Sequence, residues 1–206
     1  MINYNDRDDM ITFNNENVKM AEISRKIYIS DNTGWINFRN AGNCTGSGTE
    51  VDPYVIKDLV IDGGGSGDCI YIQSSDVYFK IENCKTFNVP DYGSGIYLYN
   101  VENGQLIDND CSLLYNGILL SYCVNNSIIG NSIYSNFEGM RVSYSNYNSI
   151  SGNTIKTSEA YAIHLRHSNN NTITGNHILN NNYAMVLTLS NYNIQMELMF
   201  LVIMLI

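Results

Sequence analysis

Basic residues are scarce in this chain: 11 Lys and Arg stand against 20 Asp and Glu, a formal net charge of −9 over 206 residues. Phosphate contacts need a Lys/Arg surface, so the balance excludes nucleic acid as a partner. The deficit lies in the first half, since residues through Asn116 hold 8 basic and 17 acidic side chains while the remainder holds 3 of each. Charged residues make up only 15% of the chain and proline occurs twice, a composition far from that of a helical protein. Cysteine is sparse and odd in number: Cys44, Cys69, Cys84, Cys111 and Cys123 contain no CxxC pair, which excludes a complete disulfide framework and a zinc site and leaves free, mostly packed thiols. No apolar run is long enough to span a bilayer; the terminal LMFLVIMLI is too short. The opening MINYNDRDDMITFNNENVK lacks the apolar segment of a secretory signal. Without GxSxG, HExxH, P-loop or dinucleotide fingerprints, nucleophilic and nucleotide-dependent chemistry has no support.

What the chain has in excess is Asn, 31 residues, together with 16 Gly and 16 Tyr. The excess is periodic. Gly95-Ile-Tyr-Leu98, Gly117-Ile-Leu-Leu120, Gly139-Met-Arg-Val142, Ala162-Ile-His-Leu165 and Ala184-Met-Val-Leu187 recur at steps of 22, 22, 23 and 22 residues. A second register runs Leu106-Ile-Asp-Asn109, Ile128-Ile-Gly-Asn131, Ile150-Ser-Gly-Asn153 and Ile173-Thr-Gly-Asn176, with Ile81-Glu-Asn-Cys84 one coil earlier. Apolar residues alternate within each short segment, which is strand periodicity, and no 3.6-residue stripe is long enough for a crossover helix. Short strands joined by bends stack parallel on their own copies, so the expected fold is all-β: a right-handed parallel β-helix of about six 22-residue coils.

Asn83, Asn109, Asn131, Asn153 and Asn176 are expected to stack as an inward ladder, each amide bonding its neighbours and the turn backbone. Asn126, Asn148, Asn171 and Asn193 mark the preceding turn. Residues 1–25 read as a polar lead or cap, with a short helix near Val18 to Arg25. Residues 26–68 read as capping strands, Lys-Ile-Tyr-Ile-Ser and Trp-Ile-Asn-Phe, and a first coil. Residues 69–193 are the repeats. At Ile194 the pattern stops, and 194–206 reads as an apolar tail, truncated or frame-shifted, whose exposed coil would promote self-association.

The G-I-x-L and N-x-I-x-G-N pattern from Cys69 to Asn193 resembles the parallel β-helix repeats of the NosD-like family, whose wider group includes carbohydrate-binding proteins and sugar hydrolases. The lead-in from Trp35 through Cys44-Thr-Gly-Ser-Gly-Thr and Asp52-Pro-Tyr-Val-Ile to Leu59-Val-Ile-Asp-Gly-Gly-Gly-Ser-Gly67 looks like the segment that precedes such repeats in microbial, often surface-exposed members. The resemblance implies the fold first. It also implies association with periplasmic copper delivery, although the matching repeats carry fold rather than metal chemistry.

In G-I-x-L the third residue points outward, so Tyr71, Tyr97, Leu119, Arg141, His164 and Val186 form an exposed column, with Gln73, Tyr99, Ser121, Ser143 and Arg166 beside it. Tyrosines at coil spacing suit sugar rings, and Arg141, His164 and Arg166 suit carboxylated sugars. Tyr71, Tyr97, Tyr99, Arg141, His164 and Arg166 are therefore the expected ligand-binding residues. The same alignment sets Glu82 over Asp108 and Asp76 over Glu102, pairs that would raise a carboxyl pKa or invite Ca²⁺. A transition metal finds no convergent His, Cys or Met ligands, and no cofactor is assigned. The sequence thus reads as a non-enzymatic module of a surface or exported protein that presents a strand face to polysaccharide or protein. The alternatives are a polysaccharide hydrolase or lyase using Glu82, Asp108 and Asp110 with Arg141, and a NosD-like copper-delivery factor.

Overall fold

The computed structural model describes residues 23–196 and 199–201; the helix expected at Val18 to Arg25 lies, up to residue 22, outside the described residues. The chain winds into a right-handed parallel β-helix with three faces. The first sheet holds Tyr54–Lys57, Phe79–Glu82, Gly104–Ile107, Ser127–Ile129, Ser149–Ser151, Thr172–Thr174 and Ile194–Met196. Ile56, Ile81, Leu106, Ile128, Ile150, Ile173 and Gln195 share one register, so successive coils take 25, 25, 22, 22, 23 and 22 residues. The second sheet runs from Ile23–Ser24 and Val60–Asp62 through Ser132–Tyr134, Thr154–Lys156 and His177–Leu179 to Met199–Leu201. The third comprises Ile27–Ile29, Ile70–Ser75, Glu138–Ser143, Tyr161–Arg166 and Tyr183–Thr188. Two long strands, Lys85–Val101 and Asp110–Ser121, pass through the corner and belong to both second and third sheets.

Strands from Ile27–Ile29 to His177–Leu179 send alternate apolar residues inward, and Ile56, Ile81, Leu106, Ile128, Ile150 and Ile173 of the first sheet share one buried core with Leu98, Leu120, Val142 and Leu165 of the third. Each such side chain contributes about 1.5–3 kcal/mol by leaving water. The corners are made by left-handed residues, four per coil: Tyr122, Asn125, Gly130 and Ser135, then Tyr144, Tyr147, Gly152 and Thr157, then His167, Asn170, Gly175 and Asn180. Each points its own side chain out and is followed by an inward polar residue or a cysteine. Four columns of these inward residues result. In the first, the backbone N–H of Asn109, Asn131 and Asn153 donates to the amide oxygen of Asn131, Asn153 and Asn176 in turn, at 2.9 Å. The second links Asn126, Asn148, Asn171 and Asn193 in the same way. A third joins Leu114 N–H to Asn136 and Ser158 N–H to Asn181, and a fourth is hydroxyl-based, through Ser145, Ser168 and Ser190.

Asn83 does not belong to the ladder. Because Ile81 aligns with Leu106, it is Cys84 that meets Asn109, and Cys84 N–H donates to the Asn109 amide oxygen at 3.0 Å. Asn83 is itself a left-handed corner residue, exposed, and donates to Asp58 Oδ1 at 2.7 Å. A second correction concerns Trp-Ile-Asn-Phe, which forms the helix Asn32–Asn40 and not a strand. Asp31 caps it by accepting from Gly34 N–H at 2.8 Å, and the spacing of three between Trp35 and Phe38 sets both rings on one helical face, which a strand would not. Trp35 lies flat on Tyr54, ring centroids 5.2 Å apart, tilts against Phe79, and donates its indole N–H to Ser75 Oγ at 3.2 Å. The edge of the first sheet is closed further by an antiparallel bridge from Thr45 to Val55. At the other end the backbone continues winding beyond Ile194, pairing Ile194–Met196 with Thr172–Thr174 and Met199–Leu201 with His177–Leu179.

Candidate functional site

The third sheet carries the expected exposed columns. Tyr71, Tyr97, Leu119, Arg141, His164 and Val186 are in register, as are Gln73, Tyr99, Ser121, Ser143 and Arg166. Tyr97 stacks on Tyr71 at 4.8 Å and 12°, Tyr71 tilts on Tyr28 at 5.4 Å, and Tyr71 donates its hydroxyl to Gln73 at 2.7 Å. Partial burial raises both the Tyr71 and Tyr97 hydroxyl pKa values.

Two further aromatic rows flank this face, neither read from the repeat. Along the corner that follows the third sheet, the left-handed residues Tyr122, Tyr144 and His167 stack nearly parallel, at 5.1 Å and 8° and then 4.8 Å and 6°, with Tyr99 edge-on to Tyr122 at 5.6 Å. Along the corner that precedes it, Tyr92, Tyr115 and Phe137 stack at 4.9 and 4.7 Å. Between the rows lies a shallow trough of about 400 Å³ lined by Tyr115, Leu119, Tyr122, Arg141, Tyr144 and Arg166 among others. The signal was present in the sequence as Tyr122, Tyr144 and His167, one aromatic per coil, but it sits at the bend, outside the strand motif.

Glu138 lies buried beside the trough-lining Arg141 and was also missed. It occupies the outward register that Asn116 and Ser94 fill in earlier coils, and it is 4% exposed. Its Oε1 is 3.6 Å from an Arg141 guanidinium nitrogen and its Oε2 is 3.6 Å from His164 Nδ1; neither Oε2 nor Nδ1 has a hydrogen bond or measurable accessibility. Arg141 also donates through Nε to Ser143 at 3.3 Å, and Tyr161 tilts against the His164 ring at 4.7 Å. Burial holds the His164 imidazole below its ordinary pKa; the Glu138 carboxylate opposes that shift, while Arg141 and Arg166 add to it. The imidazole is therefore neutral at pH 7, pressed between a carboxylate and two cations.

Of the two expected carboxylate pairs, Asp76 falls beside Glu102, since Ser75 pairs with Val101, and the other is arranged differently. Glu82 aligns with Ile107, not Asp108, because the 25-residue step places Asn83 opposite Asp108. Asp108 and Asp110 line a separate recess at the corner of the first and second sheets, with Asp58, Lys85 and Asn83. Asp110 accepts from the Tyr134 hydroxyl at 3.2 Å and lies in register with Lys85. Asp76 accepts from Asn32 at 2.6 Å.

Among the described residues, no three His, Cys, Asp or Glu side chains gather as metal ligands. Burial pushes the thiols of Cys69 and Cys84 up to about 11 and those of Cys111 and Cys123 up to about 12, so they are neutral sulfurs packed in the core. Met140 is fully buried. This donor set does not fit a copper ion. Among the described residues no helix is long and apolar enough to cross a membrane.

The family model described as "Periplasmic copper-binding protein (NosD)" matches residues 26–197. No curated protein sequence matches the chain. Among solved structures, the periplasmic alginate epimerase AlgG aligns at a TM-score of 0.50 and 16% identity, over 71% of this chain and 43% of that one. The enzymatically active domain of bacteriophage CBA120 tailspike protein 2 aligns at 0.42 and 15%, over 65% and 22% respectively. The Azotobacter vinelandii mannuronan C-5 epimerase AlgE4 A-module aligns at 0.30 and 12%, over 64% and 62%. At these identities the likeness is one of fold, and the chain spans less than half the length of AlgG.

Proposed function

The chain belongs to the NosD family, and from that premise we propose that it is a glycan-binding β-helix, a module of an exported or surface protein whose ligand lies along the third sheet. The observation that carries this reading is the trough itself: two stacked aromatic rows border a floor that holds Arg141 and Arg166. Stacked rings one coil apart form rigid apolar walls with polar edges, matching the faces and hydroxyl rims of pyranose rings. Guanidinium groups on the floor add donors in a fixed fork, which favours sugars bearing carboxylates. The copper in the family's description is not carried over, since the described donors do not fit it and no step here runs through a metal.

A panel of neutral and acidic polysaccharides presented to the purified chain tests the proposal. Binding to at least one is expected, and the double change Tyr122→Ala with Tyr144→Ala should weaken it by about 10-fold or more through the loss of two stacking faces. Tyr134→Ala, on the second sheet, should leave binding unchanged. Failure to bind any glycan, or equal loss from both variants, would remove the reading.

A further inference from the structure

The repeat supplies its own comparison for the edge of the trough. At the register of Glu138 the earlier coils use Ser94 and Asn116; at that of His164 they use Tyr97, Leu119 and Arg141, and the next coil uses Val186. The fold therefore requires neither a carboxylate nor an imidazole at these positions. Burying a carboxylate is costly unless it is fully hydrogen-bonded, yet Glu138 Oε2 and His164 Nδ1 face each other at 3.6 Å with no hydrogen bond to either.

We propose that His164, oriented by Glu138 and paired in register with the trough-lining Arg141, is a general base at the trough's edge that removes the proton α to the carboxylate of a uronic-acid residue held by Arg141 and Arg166. This rests on the glycan-binding reading and names its substrate class, an acidic polysaccharide. With Nδ1 inaccessible and turned to the carboxylate, the imidazole keeps its proton there, and the 13% of the side chain left exposed belongs to the rest of the ring, which includes Nε2. Arg141, 29% exposed, and Arg166 stand beside it to hold the substrate carboxylate and stabilise the negative charge that develops on proton removal. The C–H bond breaks with its proton passing to Nε2. The electron pair is first held as a carbanion against the Arg-bound carboxylate, to which a solvent-exchanged proton can return from His164; or it forms a C=C bond as the bond to the neighbouring glycosidic oxygen breaks, the proton passing from His164 to that leaving oxygen and restoring the neutral imidazole. Glu138 acts through His164 and is a positioning residue.

The groups facing His164 are Glu138 and Arg141 from the preceding strand, Arg166 and Tyr161 from its own, and Tyr183 from the following one, where Val186 and Thr188 complete the register. The test incubates the full chain with polyuronates in D₂O, following deuterium at the carbon α to the carboxylate by NMR and unsaturated product by ultraviolet absorbance. Deuterium uptake or unsaturated product is expected, and either outcome upholds proton removal. His164→Gln should lower exchange by about 100-fold or more while polyuronate binding persists. Glu138→Gln should lower it less and move the acid limb of the pH profile downward, because the carboxylate that raises the His164 pKa is gone; a purely structural residue would leave that limb in place. Bound polyuronate with neither exchange nor unsaturated product, or either of them surviving His164→Gln, would sink the inference while leaving glycan binding intact. Binding of neutral glycans alone would do the same, and binding of none would end both readings.

Discussion

A left-handed residue at each bend turns one side chain outward and the next inward, so the same local geometry builds both the polar ladders and the aromatic rows. The inward side is the more costly to disturb. Asn153 accepts from the N–H and the side-chain amide of Asn131 and donates to Ile128 O and Asn176 Oδ1, all at 2.9 Å and fully buried. Asn153→Ala leaves those groups unpaired and should cost about 3 kcal/mol in urea unfolding, whereas Asn83→Ala, exposed, should cost under about 1 kcal/mol. The cysteines give a second expectation with a definite sign. Their folded pKa values are raised to about 11 and 12. An unfolded thiol ionises near about pH 8.5, so the stability they contribute is fully present below that and is lost as pH rises toward 11 and 12. Mass spectrometry after iodoacetamide treatment at pH 8 should find Cys69, Cys84, Cys111 and Cys123 unmodified in the folded chain and all four modified in urea. Modification of Cys111 without denaturant would contradict its full burial.

At the scale of elements, the helix Asn32–Asn40 closes the core at the end of the first sheet by packing Trp35 on Tyr54 and Phe79. Trp35→Ala should cost about 3–5 kcal/mol and first release the coil beneath Tyr54, which hydrogen exchange would detect as lost protection at Ile56 before Ile128. That helix also shows where sequence reading ran short. The strands from Ile70 onward were legible because each apolar residue recurs in register with a copy of itself, giving every position several independent readings. Trp35 has no copy, and four residues that are apolar at Trp35, Ile36 and Phe38 do not by themselves separate a capped helix from a strand. The site divides in the same way. The column from Tyr71 to His164 was legible because it lies inside the G-I-x-L motif. Tyr122, Tyr144 and His167 sit at the bend, where a propensity argument expects Asn or Gly, and only the left-handed backbone reveals that they project together. Glu138 was hidden because its importance is spatial, across coils to His164. The misplacement of Asn83 and of the Glu82/Asp108 pair has one cause: both were read one residue off the Ile81–Leu106 register, in which Asn83 falls on the left-handed corner residue Asp108 and Cys84 on Asn109.

For the whole molecule, each coil touches mainly the coils above and below it, so stability is a sum of coil terms and interfaces between neighbours. The coil is then a removable unit. Ser132 is in register with Thr154, so deleting residues 132–153 joins Asn131 to Thr154 at the same point of the turn and restacks Asp110–Ser121 on Thr154–Lys156 and Tyr161–Arg166. The Asn ladder survives, since Asn109 and Asn131 then meet Asn176 in the order Asn153 met it. The shortened chain should keep a β-rich circular dichroism spectrum and one cooperative melting transition, with Tm lowered by roughly 2–8 °C through loss of one coil's interfaces. A deletion of half that length, 132–142, would set second-sheet strands over the wrong corner and should abolish the transition. Function should part from fold in the 22-residue deletion, because Phe137, Glu138, Arg141 and Tyr144 leave together. The trough loses a ring from each wall and a guanidinium from its floor, so glycan binding should disappear from a molecule that still melts as a β-helix. Retained binding in that deletion would place the ligand on another face.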